Sequence, residues 1–181
     1  MVAFMLGVLY LPARWARIAA AAGLGLALAW RPNLWYWLPL FFVALMRARG
    51  WRAALEYTGV GVGVCAAVTL PFYLPHRHDF APLLTARKVR RYDDVVPRSS
   101  IVVLGATALI MLGLCGRMLR GTVPLLAACA VVQAFLLGFV VLLASISAGK
   151  PDFSPLVLAY GLFFLVPAMF WLVRPGAAET P

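Results

Sequence analysis

Four continuous apolar runs, each about 20 residues long, limit what this chain can fold into. They lie at Ala53–Leu74, Ser99–Gly116, Thr122–Ile146 and Ser154–Val173, with Glu56 as the single charged residue among them. A helix of that length crosses about 30 Å of bilayer hydrocarbon. Charged residues make up 12% of the chain, whereas a soluble domain carries about 25%. Because the runs are continuous rather than alternating, they predict membrane helices and exclude barrel strands.

Three shorter apolar segments precede these runs. Met1–Leu11 is too short for a span and lacks the basic region that begins a signal peptide. Ile18–Trp30 and Leu34–Met46 are separated by Arg31-Pro32-Asn33, where the proline cannot donate a backbone hydrogen bond. A pair of short helices is favoured over one broken helix, whose irregular backbone would need protein or a wet cavity around it. The sequence therefore predicts an all-α, polytopic transmembrane helical bundle with about six to seven membrane segments.

The chain is expected to form a single transmembrane domain over residues 1–181, with a basic extramembrane loop at 75–98. Its net charge is +10, and the basic residues lie between the apolar runs. No soluble basic domain is present for nucleic acid, so membrane lipids, including phosphate-bearing ones, are the expected partners. The simpler interpretation, which is favoured, is that these charges mark topology.

The basic residues also bear on orientation. Alternating the loops across the membrane gives eight basic residues on each face, and excluding the 75–98 loop leaves eight against two. The richer face predicts the cytoplasmic side, since short loops follow the positive-inside rule. Its members are Arg14, Arg17, Arg47, Arg49, Arg52, Arg117, Arg120 and Arg174. The aromatic cluster Trp30–Trp37 predicts a membrane interface at the Arg31 turn.

The 75–98 loop is the most polar stretch of the chain and admits three kinds of chemistry. First, it could clamp a lipid phosphate or diphosphate with Arg87, Lys88, Arg90 and Arg91. The second is a metal site at His76, His78 and Asp79, joined by Asp93 and Asp94, although His-x-His alone is weak and no metal is predicted. In the third, Asp79, Asp93 or Asp94 would act as a general base. A solvated loop with simple ion pairs remains the default for all three.

Inside the apolar runs a few residues suggest packing roles. Gly59 and Gly63, four residues apart, predict a face for close approach of another helix. Gln133 is predicted to face protein rather than lipid. The cysteines, Cys65, Cys115 and Cys129, have no metal or redox spacing and are interpreted as small packing residues.

A resemblance to a known family is carried by three stretches, Arg31–Phe42, Arg47–Leu55 and Leu70–Leu74, followed by His78–Pro82. Over roughly residues 15–85 the pattern resembles the later part of bacterial polytopic GT-C glycosyltransferases. These are mannosyltransferase-like enzymes that use polyprenyl-phosphate sugars. The resemblance implies an integral enzyme of the bacterial plasma (inner) membrane that transfers a hexose or pentose from a lipid-phosphate donor, without a further cofactor.

The resemblance also implies what this chain does not supply. The family's catalytic acid lies in a first outer loop, and this chain has no acid before Glu56, so no catalytic residue is carried over. Arg31 and the cluster Arg87, Lys88, Arg90 and Arg91 match basic outer-face positions and imply lipid-phosphate binding. The expectation is a C-terminal fragment of such an enzyme, incomplete as an enzyme by itself.

Two other functions stay open. One is a non-enzymatic membrane subunit or scaffold that packs on a partner subunit through small-residue faces such as Gly59 and Gly63. The other is a small transporter, which ranks last because the spans lack ionisable residues and no inverted repeat is evident.

Overall fold

The structure is a computed structural model and describes residues 1–30, 35–74, 91–94 and 96–152. Every regular element in these ranges is helical, which confirms the all-α prediction. The elements are α1 Val2–Tyr10, α2 Arg14–Trp30, α3 Trp37–Arg49, α4 Trp51–Tyr73, a 3-10 helix Arg91–Asp94, α5 Ser99–Leu119 and α6 Leu125–Ala148.

Three described helices, α4, α5 and α6, are long and apolar enough to cross a membrane. This supports an integral membrane protein but is fewer than the six to seven segments predicted. The reason is length: α1, α2 and α3 have 9, 17 and 13 residues. They rise about 14, 26 and 20 Å, short of a bilayer core of about 30 Å. The predicted run Ser154–Val173 lies outside the described residues.

The helix pair expected around Arg31 is present as two separate elements. The first, α2, ends at Trp30, and α3 begins at Trp37. The turn itself, residues 31–34, lies outside the described residues. The next turn is tighter, because Gly50 alone separates α3 from α4. Its φ of +85° is one that a side chain disfavours, so glycine suits this reversal.

The chain divides into two compact units, Met1–Arg87 and Lys88–Pro181. In the first unit, α4 packs against both α2 and α3, and α1 covers α2. Short connections after α1 and α3 make the neighbouring helices antiparallel. The core is aliphatic and aromatic, with the fully buried side chains Met5, Leu24, Leu28, Leu40 and Phe41.

Contact between α2 and α4 depends on a glycine pair that differs from the predicted one. A Cβ on Gly25 would overlap the carbonyl oxygen of Gly61, and a Cβ on Gly61 would lie 3.2 Å from the Ala21 carbonyl oxygen. Gly59 and Gly63 are exposed, and a Cβ on either would meet no described atom within 4 Å. The face predicted at Gly59 and Gly63 is therefore not packed against the described helices of this unit. Residues 59 and 63 lie on a different side of α4 from residue 61.

In the second unit α5 packs against α6. Thr107 is fully buried in α5 and satisfies its hydroxyl by donating to the Val103 carbonyl at 2.7 Å. Gln133 is buried in α6, which confirms that it faces protein. Cys65 and Cys129 are buried free thiols, in keeping with packing roles.

Candidate functional sites at the helix ends

Most of the predicted phosphate clamp lies outside the described residues. This applies to Arg31, Arg87, Lys88 and Arg90, and to the neighbouring His76, His78 and Asp79. Arg91 begins the 3-10 helix that ends at Asp94, but the structure does not describe the side chain of Arg91. Among the described residues, no group of three or more His, Cys, Asp or Glu side chains could hold a metal ion.

The end of the basic loop is anchored through Asp93. Its carboxylate accepts hydrogen bonds from the Ser100 backbone N–H at 2.7 Å and the Ser99 hydroxyl at 3.1 Å, and a third from the Ser100 hydroxyl. A helix leaves its first backbone N–H groups without internal partners, and its N-terminus carries partial positive charge. Asp93 therefore acts as a cap for α5 supplied from six residues upstream.

The residue before α5 explains why the cap comes from a distance. Arg98 occupies the N-cap position with φ of +64° and makes no cap hydrogen bond through its side chain. Ser, Thr, Asp and Asn are the residues that normally cap from this position. Asp93 takes over that role, so one of the loop's three candidate bases is already engaged in holding the loop to α5.

A second polar site lies at one end of the first unit, where α1 and α3 end and α2 and α4 begin. We call it the arginine end, and its residues are Arg14, Arg17, Arg47, Arg49 and Arg52. These are five of the eight arginines that the sequence places on the cytoplasmic face. Three cross-helix contacts lie here: Arg49 connects α3 to α1, and Arg17 and Arg14 both connect α2 to α4.

Two of these arginines satisfy carbonyl groups where α1 ends. Arg49 donates from Nε at 3.1 Å and Nη2 at 2.7 Å to the Leu9 carbonyl. Arg17 donates from Nη1 to the carbonyls of Leu11, at 2.9 Å, and Pro12. The last carbonyls of a helix have no internal partner, and cations near them are favourable. Arg17 and Arg49 thus fasten the short helix α1 to α2 and α3.

Arg17 also reaches α4. Its Nε donates to the Tyr57 hydroxyl at 2.8 Å, and the guanidinium carbon lies 5.7 Å from the centre of the Tyr57 ring. Tyr57 is 3% exposed, so its hydroxyl needs a partner inside the protein. The contact gives a buried phenol a charged donor and ties α2 to α4.

Arg14 pairs with Glu56, the one acid in the apolar runs. Nη2 and Nε of Arg14 lie 2.7 and 3.2 Å from Oε1 of Glu56. The hydrogen bond and the negative charge of Glu56 raise the pKa of the Arg14 guanidinium. The side chain of Arg14 is 72% exposed and that of Glu56 38%, so the pair lies at the protein surface and contributes little to stability.

Large aromatic side chains surround the arginine end. Tyr10 at the end of α1, Trp15 in the first turn of α2 and Trp51 at the start of α4 are 77%, 76% and 61% exposed. Amphipathic aromatic rings are enriched at headgroup depth in membrane proteins. The sequence predicts an aromatic belt at Trp30–Trp37. This second set has no comparable sequence signal, because Trp51 lies far along the chain from Tyr10 and Trp15.

Comparison of the chain with protein family models, with curated proteins and with solved structures finds no match.

Proposed function

We propose that this chain is the lipid-carrier-binding membrane portion of a GT-C-like glycosyltransferase in the bacterial inner membrane. It would bind a polyprenyl-phosphate sugar, with the catalytic acid supplied from outside these 181 residues. In this proposal the chain has the six to seven membrane segments expected from its sequence. The phosphate would be neutralised by Arg31, Arg87, Lys88, Arg90 and Arg91.

The observation that supports this function best is the Asp93 anchor. It ties the 3-10 helix that begins at Arg91 to the first turn of α5, a helix able to span the membrane. The N-terminus of a spanning helix lies near the headgroups, which is the depth of a carrier's phosphate. Arginine suits this role because its planar fork can hold two phosphate oxygens.

The test is binding of undecaprenyl phosphate to the full chain in lipid nanodiscs. Replacing both Arg90 and Arg91 by Ala should weaken binding about 30-fold, since each basic residue near a phosphate surface contributes about 1 kcal/mol. The matched control is the double replacement of Arg117 and Arg120 by Ala, which removes the same charge at the other end of α5. Unchanged binding in the first variant, or an equal loss in the control, would contradict the carrier site.

A second candidate is a non-enzymatic subunit, and one observation favours it. Gly25 and Gly61 serve the internal packing of the first unit, while Gly59 and Gly63 remain exposed on α4. Small residues four apart on a membrane helix permit close approach of another helix. Blue-native electrophoresis of membranes extracted in mild detergent tests this. A stable complex that Gly59→Leu abolishes, and that Val60→Leu preserves, would favour the subunit.

A further inference from the structure

The arginine end carries more positive charge than the described acidic side chains there can neutralise. It gathers five arginines from the ends of three helices, α2, α3 and α4, against a single described acid, Glu56. Glu56 forms an ion pair with Arg14 through Nε and Nη2 of the guanidinium. The remaining nitrogen, Nη1, makes no hydrogen bond to a described residue. Arg52 is exposed and makes no hydrogen bond or ion pair within the described part of the chain.

Some arginines at this end connect the helices, and others keep hydrogen-bond donors free for a ligand. Arg49 donates to the Leu9 carbonyl of α1, and Arg17 donates to the carbonyls just after α1 and to the Tyr57 hydroxyl. Both arginines therefore hold the helices together rather than serve a ligand. Arg14 and Arg52 lie at the first turns of α2 and α4 and keep donors facing outward. Because Arg52 and Glu56 are one turn apart on α4, Arg14 and Arg52 both lie beside Glu56.

The aromatic residues set the depth of this surface. Trp15 follows Arg14 directly, and Trp51 precedes Arg52 directly, so each outward arginine has an exposed indole beside it in sequence. Indoles favour the headgroup layer, where guanidinium groups meet lipid phosphates. Paired arginines with flanking indoles match an anionic lipid headgroup in both charge and depth.

We propose that the arginine end binds an anionic phospholipid, with Arg14 and Arg52 contacting the phosphate and Trp15 and Trp51 packing at the glycerol level. The ligand is a membrane phospholipid such as phosphatidylglycerol. Its residues lie at the starts of α2 and α4 and include none of those proposed to hold the carrier phosphate, so the two proposals depend on different residues.

The experiment measures binding of phosphatidylglycerol and of phosphatidylcholine to the full detergent-solubilised chain by native mass spectrometry. Wild type should prefer phosphatidylglycerol. The double variant Arg14→Gln and Arg52→Gln should weaken phosphatidylglycerol binding about 30-fold, at about fivefold for each basic residue. A control with Arg117→Gln and Arg120→Gln loses the same charge elsewhere and should change binding less than about threefold.

Glu56→Gln separates lipid binding from a loss of fold. It breaks the ion pair with Arg14 while leaving both arginines charged, so binding of phosphatidylglycerol should hold or tighten. Three results would overturn the proposal: equal affinity of wild type for the two lipids, an equal loss in the Arg117 and Arg120 control, or a comparable loss in Glu56→Gln. Glycerol 3-phosphate competing as well as the lipid would assign the site to free phosphate and overturn it too.

Discussion

Gly25 of α2 and Gly61 of α4 lie backbone against backbone, since the Gly61 carbonyl oxygen occupies the space that a Cβ on Gly25 would need. Close approach of this kind lets two membrane helices gain van der Waals contact along their length. Around it, α4 buries Ala54, Tyr57 and Cys65 on the same side as Gly61. The pair therefore determines how the longest helix of the first unit packs against α2.

Gly25→Ala should destabilise the first unit by about 1–3 kcal/mol, because the added methyl group meets backbone that cannot rotate away. The measurement is reversible unfolding of the full chain in detergent by added SDS. The matched control is Gly63→Ala on α4, where the added methyl group meets no described atom within 4 Å. A loss of stability in Gly63→Ala equal to that in Gly25→Ala would contradict the assigned crossing point.

Arg49→Lys should loosen α1 from the first unit while keeping the charge. A lysine cannot supply the two guanidinium donors that both reach the Leu9 carbonyl, and the loss should be about 1 kcal/mol. Hydrogen exchange at the amides of α1 should quicken accordingly. Arg52→Lys, the same change at an arginine with no described partner, should leave α1 unaffected, and faster exchange there would argue against a specific role for Arg49.

Asp93→Ala should fray the first turn of α5, because the Ser99 and Ser100 groups lose their common acceptor. The expected cost is about 1–2 kcal/mol, as for loss of a helix cap. Exchange at the Ser100 amide is the direct measurement. Asp94→Ala removes a neighbouring exposed carboxylate and serves as the control; protection of that amide should persist in it and fall in Asp93→Ala.

Tyr57→Phe should cost about 1 kcal/mol, because Arg17 Nε loses the hydroxyl that accepts its hydrogen bond. The ring remains buried, so no cavity is created. Thermal unfolding in detergent gives the difference. Tyr10→Phe removes a hydroxyl from a phenol that is 77% exposed and should shift the midpoint little. Equal shifts in the two variants would show that the Arg17 contact contributes nothing measurable.

Most of the helices could be predicted from the sequence, because helix formation and bilayer length depend on local composition. The run Ala53–Leu74 became α4, Trp51–Tyr73, within two residues at each end. Membrane segments were harder to count. The helices α2 and α3 have 17 and 13 residues, so three described helices are long and apolar enough to span, fewer than the six to seven segments that the apolar runs predict.

Which residues contact one another depends on the packing of the helices. Spacing in the sequence favours Gly59 and Gly63, whereas the position of α2 makes Gly61 the buried glycine. The arginines show the same limit. Their charge and their common side follow from loop alternation, but Arg49 and the Nη1 group of Arg17 donate to backbone carbonyls, which every residue carries. Because every residue has a backbone carbonyl, the sequence does not show which carbonyl an arginine will contact. That contact is determined only when helices distant along the chain pack together.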